Sequence, residues 1–136
     1  MSYLLDTNVI SEIRKGTRAD SSVLSWFEAN YEAGYFLSAL VLGEIRKGIE
    51  SLSRSNAQAA GRLDEWLNET RRTFEGRIIP IDREIAEEWG RMSATEPPPV
   101  IDGLMAATAV SRDLTLVTRN TADIERTGVS FINPFS

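Results

Sequence analysis

Apolar and polar residues alternate in blocks along the chain, and the blocks predict strands and helices in turn. Apolar runs at residues 3–5, 35–37 and 114–118 are typical of short buried strands. Weaker runs at residues 77–82 and 129–132 predict two more. The run at 77–82 contains Pro80, which cannot donate a ladder hydrogen bond, so we expect a sheet edge or a strand end there.

Between these runs, apolar residues recur every three or four positions, which is the helical spacing. The predicted helices cover residues 9–15, 23–34, 40–52, 57–74, a segment capped by Asp82, and 100–112. The polar break at 53–56 predicts a hairpin of two helices, 96–99 a rigid connector, and 119–123 a turn. Strands that alternate with helices imply a mostly parallel sheet of about four to five strands with helices on its faces, in one domain over residues 1–136.

Composition narrows the chemistry that this α/β chain could perform. The 136 residues include no cysteine and no histidine, which excludes disulfides, thiolate sites, Ser-His-Asp triads and the commonest zinc ligands. The formal charge of −5 argues against an extensive basic surface for nucleic acid but permits a local basic patch. We see no membrane-spanning stretch and no secretory signal, and therefore expect a cytoplasmic protein.

Acidic and amide side chains stand at the predicted junctions between strands and helices. Asp6 ends the first strand, Glu44 lies near the start of the helix after the second, and Asp102 near the start of the helix before the strongest strand. Asn120 and Asp123 follow that strand. The carboxyl ends of parallel strands share one edge of a sheet, where ligands bind, so these side chains are expected to converge. Asp102 precedes its strand and reaches the same edge only if its helix starts there.

Converging carboxylates repel one another unless a cation lies among them, and oxygen-only ligands favour Mg²⁺ or Mn²⁺. Such a site suits phosphodiester hydrolysis by a metal-activated water. Ordinary roles remain open for each acid taken singly: Asp6 and Asp102 could be helix caps, Glu44 a surface residue, and Asp123 part of a turn.

Four segments, taken in order, resemble the motifs of the PIN-domain ribonucleases, and specifically the VapC-type toxins of the FitB-like branch. These segments are residues 3–12 (YLLDTNVISE), 37–48 (LSALVLGEIRKG), 102–109 (DGLMAATA) and 116–124 (LVTRNTADI). The resemblance runs the length of the chain. It implies a three-layer α/β/α fold and Mg²⁺- or Mn²⁺-dependent cleavage of RNA.

The resemblance also implies roles for individual residues. Asp6, Glu44 and Asp102 would hold the metal, with Asn120 and Asp123 as further candidates and with Asp123 counted among the catalytic acids. Thr7 and Thr118 would orient ligands or waters. Arg46 and Arg119 are the candidates for RNA phosphate contacts. The implied partners are an antitoxin, which would link the toxin to operator DNA, and a second copy of the chain.

Two other functions remain open from the residues alone. An acidic cluster that binds Mg²⁺ also occurs in receiver-like regulatory modules that are phosphorylated on Asp, although no lysine follows the 114–118 strand closely. A catalytically silent interaction domain would bind no divalent ion.

Overall fold

The three central strands are almost wholly apolar, which suits strands buried on both faces of a parallel sheet. The computed structural model describes all 136 residues and contains one five-stranded sheet in the order β3-β2-β1-β4-β5. All four strand pairs are parallel. The strands are β1 (Tyr3–Leu5), β2 (Tyr35–Ser38), β3 (Ile78–Ile79), β4 (Thr115–Val117) and β5 (Phe131–Ile132).

Helices cover both faces of the sheet and complete a three-layer α/β/α architecture, which confirms the predicted fold class. Three 3-10 turns, Gly16–Arg18, Tyr31–Ala33 and Glu125–Thr127, supplement the helices. The helices are α1 (Thr7–Arg14), α2 (Ser21–Ala29), α3 (Ala39–Ser53), α4 (Ala57–Thr73), α5 (Arg83–Met92), α6 (Val100–Ser111) and α7 (Thr121–Ile124).

The core forms around β1, the middle strand of the sheet. Leu4 and Leu5 have no exposed surface, and neither do Leu37 of β2 and Val117 of β4 beside them. None of the helices has the length and apolarity needed to cross a lipid bilayer.

Three predicted boundaries are wrong, each for a local reason. Residues 119–123 do not form a simple turn, because the short helix α7 starts at Thr121 and includes Asp123. The strand predicted at 77–82 is confined to two residues, since Pro80 has no N–H to continue the ladder, and it lies at the sheet edge as expected. Helix α2 ends at Ala29, where the Asn30 side chain donates to the Trp26 carbonyl.

The topology brings three chain segments to one edge of the sheet. Asp6 follows β1, Ser38 ends β2 and Thr118 follows β4, and these three strands are neighbours. The N–H of Asp6 donates to the carbonyl of Val117, which extends the β1–β4 ladder to the point where both strands stop. The site described next lies at this edge.

Candidate functional site

Strand β1 ends in a buried carboxylate that donors hold from three directions. Asp6 is 6% exposed, and its Oδ1 accepts a 2.7 Å hydrogen bond from the Thr7 N–H at the start of α1. Its Oδ2 accepts bonds from the Thr118 hydroxyl at 2.7 Å and from Asn8 Nδ2 at 3.3 Å. Asp6 is therefore the N-cap of α1 and also a fixed anion, whose burial these hydrogen bonds make tolerable.

Helix α3 brings a second carboxylate to the same place. The Thr7 hydroxyl donates to Glu44 Oε1 at 2.5 Å. The N–H of Thr7 binds Asp6 while its hydroxyl binds Glu44, so one residue contacts two candidate ligands at once. The first and second sequence motifs thus meet through a single threonine.

Asp102 lies in the first turn of α6 and is half-buried. Burial raises the pKa of its carboxyl above the ordinary value. Three negative neighbours act in the same direction, namely Asp6, Asp123 and Glu44 in that order, while hydrogen bonding by the Asn120 side chain lowers the pKa. Asp102 therefore lies in the field of every other candidate acid.

The end of β4 is joined to α1 by a side chain that the sequence did not single out. Asn8 Nδ2 donates to Asp6 and, at 3.5 Å, to the Thr118 hydroxyl, and Asn8 Oδ1 accepts from the Arg119 N–H at 3.2 Å. The Thr118 hydroxyl also accepts from the Asn120 N–H at 3.0 Å. Asn8 lies in the first of the four resembling segments, but no site role was assigned to it, and its position two residues after Asp6 also suits a helix cap.

The two remaining candidates are more open to solvent. Asn120 immediately precedes α7 and is exposed, and its side chain makes no capping bond. Asp123 lies within α7 and is exposed too. Asp123 raises the pKa of the Asp102 carboxyl and the Asn120 side chain lowers it, so both lie within reach of Asp102.

The site carries negative charge that no basic side chain neutralises. None of the candidate carboxylates, on Asp6, Glu44, Asp102 and Asp123, takes part in an ion pair of the chain. No three acidic side chains stand close enough together to form a complete ligand set by themselves. Mg²⁺ commonly keeps several waters and binds one or two carboxylates directly. The oxygen donors and the uncompensated charge therefore fit a partly hydrated hard cation.

The two arginines considered for phosphate contacts have different surroundings. Arg46 is paired with Asp64 at 3.1 Å and with Glu50 at 3.5 Å, so acidic partners already occupy its guanidinium. Arg119 forms no ion pair, and its guanidinium carbon lies 4.7 Å from the centroid of the Phe135 ring. Of the two, Arg119 has the charge that remains available beside the site.

Known proteins are similar to this chain in both sequence and fold. The VapC ribonuclease Y4jK of Sinorhizobium fredii is 32% identical over 139 residues, which cover 97% of this chain and 96% of the relative. The Toxin FitB of Neisseria gonorrhoeae is 31% identical over 138 residues, covering 97% of each. The structure of FitAB bound to an IR36 DNA fragment superposes with a TM-score of 0.85 at 29% identity, over 98% of this chain and 96% of that one.

The match to a described family extends over nearly all of the secondary structure. Residues 3–129 match the PIN domain, a span that starts with β1 and ends just before β5. It includes all four segments whose side chains meet at the sheet edge. Together with two relatives above 30% identity along almost their whole length, this match shows that the chain belongs to the PIN domain family.

Proposed function

We propose that this protein is a Mg²⁺- or Mn²⁺-dependent endoribonuclease, a single PIN domain that serves as the toxin of a toxin–antitoxin pair. The observation that carries the proposal is the group of carboxylates without basic partners at the carboxyl edge of the sheet. The similarity to proteins named VapC ribonuclease and Toxin FitB supports it. No observation favours the receiver-like alternative.

Asp6, Glu44 and Asp102 are the residues that would hold the ion, one or two of them directly and the rest through bound waters, with Asp123 and Asn120 as further candidates. When bound, a divalent ion lowers the pKa of water and stabilises charge on phosphate oxygens. Thr7 and Thr118 keep the Asp6 and Glu44 carboxylates oriented. Arg119 would attract the RNA backbone at the same edge.

The nuclease proposal is tested by comparing two substitutions at opposite ends of α6. Asp102→Asn removes the negative charge of a candidate ligand with almost no change in the size of the side chain. Asp113→Asn is the matched control: Asp113 is exposed, lies just beyond the end of α6 and has a φ of 55°, which asparagine tolerates well. Cleavage of labelled RNA in Mg²⁺ and Mn²⁺ is measured by gel electrophoresis.

The wild type and Asp113→Asn should cut RNA, and excess chelator should stop both. Asp102→Asn should lose activity by about 100-fold or more, the scale on which removal of charge stabilisation acts. Full activity of Asp102→Asn, or activity that persists in chelator, contradicts the proposal. A phosphoryl group stably added by a small phosphodonor, seen by mass spectrometry, would support the receiver-like alternative instead.

We also propose a partner protein, an antitoxin that covers the acidic site and connects the toxin to operator DNA, and a homodimeric toxin acting in the cytoplasm. The similarity to FitAB bound to DNA supports this assembly. Co-expression with the short reading frame next to the gene should restore growth that the toxin alone arrests. Purified toxin alone should not retain operator DNA in a gel-shift experiment, whereas the complex should.

A further inference from the structure

A cavity adjoins the acidic site and has so far no role. It lies between the first half of α3 and the start of α6 and has a volume of about 360 Å³. That volume is within the range of about 300–1,000 Å³ that is usual for small-molecule sites. Its lining residues are Ala39, Leu40, Gly43, Glu44, Lys47 and Ile101.

The cavity is continuous with the acidic site through two of its walls. Glu44 lines the cavity and also accepts the hydrogen bond from Thr7 in the site. On the facing wall, Ile101 immediately precedes Asp102. A molecule seated in the cavity is therefore next to whatever the carboxylates hold.

Lys47 supplies a free positive charge at the cavity. Its ammonium group forms no ion pair, whereas its neighbour Arg46 is bound to Asp64 and Glu50. Lys47 is exposed. It is thus the cation of α3 that is available to an anion beside Glu44.

The rest of the lining is apolar and open. Leu40 and Ile101 offer aliphatic side chains, and Ile101 is 37% exposed. Gly43 has no side chain, and a Cβ placed there would meet no atom within 4 Å. A flat aromatic ring in the cavity would contact the Leu40 and Ile101 side chains and lie over Gly43, where nothing obstructs it. Lys47 and the carboxylate of Glu44 would lie beside it.

We propose that this cavity binds the nucleoside adjacent to the cleaved phosphate of an RNA strand. The base contacts Leu40 and Ile101 over Gly43, and Lys47 binds the flanking phosphate. Proteins that bind single-stranded nucleic acid combine surfaces for the base faces, usually aromatic, with positive charge for the backbone. Here aliphatic side chains and one lysine would take these two roles. The inference rests on the proposed nuclease function, because its occupant is part of that substrate.

The decisive experiment fills the cavity without disturbing the fold. Gly43→Leu places a side chain where the structure shows open space. Gly48→Leu is the matched control, since Gly48 is an exposed glycine on the same helix that does not line the cavity, and a Cβ added to it would likewise meet no atom within 4 Å. Binding of a short fluorescein-labelled oligoribonucleotide is measured by anisotropy in chelator, where no cleavage occurs.

Gly43→Leu should weaken binding by about tenfold or more, the effect of losing one nucleotide's contacts, and Gly48→Leu should bind as the wild type does. The same binding for Gly43→Leu and the wild type overturns the proposal. So does a change from dimer to monomer in light scattering with RNA binding unaltered, which would assign the cavity to a subunit interface.

The role of Lys47 is tested through the salt dependence of binding. Lys47→Gln should reduce the slope of log K against log salt by about 0.7, the contribution of one phosphate on a single strand. Arg72→Gln is the control, because Arg72 lies at the end of α4 near Gly76 and Ile78, where β3 begins, and does not line the cavity. An unchanged slope for Lys47→Gln would show that Lys47 does not bind a phosphate of the RNA.

The outcomes separate this inference from the nuclease proposal. If the wild type cuts RNA and Asp102→Asn does not, while Gly43→Leu binds and cuts normally, the cavity is not a nucleoside site and the nuclease stands. If Gly43→Leu abolishes RNA binding but no divalent ion supports cleavage, the cavity stands and the nuclease proposal fails.

Discussion

Asn8 joins the two halves of the site with one side chain. It contacts Asp6, the Thr118 hydroxyl and the N–H of Arg119, and so fixes the end of β4 against the start of α1. Residues that orient metal ligands commonly influence affinity almost as much as the ligands themselves. Asn8 is therefore a positioning residue for Asp6.

Asn8→Ala should lower the affinity for Mn²⁺ by about 10–100-fold, because Asp6 loses one of its orienting donors. Titration calorimetry measures this directly. The control is Asn68→Ala, because Asn68 is exposed and its side chain accepts a hydrogen bond from Arg71. Equal Mn²⁺ affinity for Asn8→Ala and the wild type would contradict the assigned role.

Tyr35 holds the end of α2 against β2. Its buried hydroxyl donates to the Phe27 carbonyl at 2.5 Å, near the end of α2, where helix carbonyls lack partners within the helix. Its ring stacks on that of Phe27 with the centroids 4.6 Å apart. Burial, assisted by Tyr3 and Tyr31, raises the pKa of Tyr35 to about 12.

Because that pKa is raised from 10.0, the neutral phenol stabilises the folded state. Its contribution is complete below pH 10 and is lost as the pH rises from 10 towards 12. Tyr35→Phe should remove this part of the pH dependence and lower the free energy of unfolding at pH 8 by about 0.5–1.5 kcal/mol. Urea unfolding across this pH range measures both. Tyr31→Phe removes only the smallest of the three causes of the raised Tyr35 pKa and should therefore keep most of the wild-type profile.

At the scale of elements, the contact between α5 and α6 depends on a glycine next to Asp102. A Cβ on Gly103 would lie 3.0 Å from Pro98 Cγ and 3.1 Å from two ring atoms of Trp89. Both neighbours are rigid rings, so neither can yield easily. Gly103 thus sets the close approach that positions the first turn of α6.

Gly103→Ala should lower the free energy of unfolding by about 1–3 kcal/mol through overpacking, despite the better helix propensity of alanine. Gly61→Ala should do the reverse and add up to about 1 kcal/mol, because Gly61 is exposed in α4 with open space around it. Thermal and urea unfolding of the two variants provide the comparison. Greater stability of Gly103→Ala would contradict the packing argument.

Most elements could be predicted because their patterns are strong and local. The apolar run of β1 and the helical spacing in α3 and α4 were sufficient to locate these elements. Helix α7 could not be predicted, since four residues with one buried side chain, Ile124, show no periodicity. Strand β3 was predicted too long because apolar residues on both sides of Pro80 conceal where pairing stops.

The site was partly predictable for the same reason. Asp6 and Glu44 stand at junctions that the sequence pattern already places on one edge, whereas Asp102 precedes its strand and comes near them only through the placement of α6. Asn8 was not predictable as a site residue, because its contact with Thr118 spans 110 residues and depends on the tertiary fold. The ion pair of Arg46 with Asp64 also depends on how α3 packs against α4, whereas its pair with Glu50 has the i,i+4 spacing that a helix allows.

At the scale of the whole molecule, the acidic site lowers the stability of the metal-free fold. The raised pKa of Asp102 means that its charged form is less favourable in the folded state. In the metal-free protein its contribution is therefore favourable below the ordinary pKa of 3.8 and is lost as the pH rises through the raised value. The negative charge that would bind the ion therefore lowers the stability of the metal-free protein.

Asp102→Asn should consequently raise the melting temperature of the metal-free protein at pH 7, because it removes a repelled charge. Saturating Mn²⁺ should make the wild type the more stable of the two. A Mn²⁺ concentration of 100 times the dissociation constant stabilises the wild type by about 2.7 kcal/mol, and the variant by less because it binds the ion more weakly. Scanning calorimetry with and without Mn²⁺ tests both statements. A lower melting temperature for metal-free Asp102→Asn would contradict them.

The hydrogen bond from Thr118 to Asp6 joins residues 112 positions apart. During synthesis, a ribosome releases the first of these long before it has made the second. The growing polypeptide therefore cannot form this contact until β4 has been translated. Any activity that depends on it is absent from the incomplete chain.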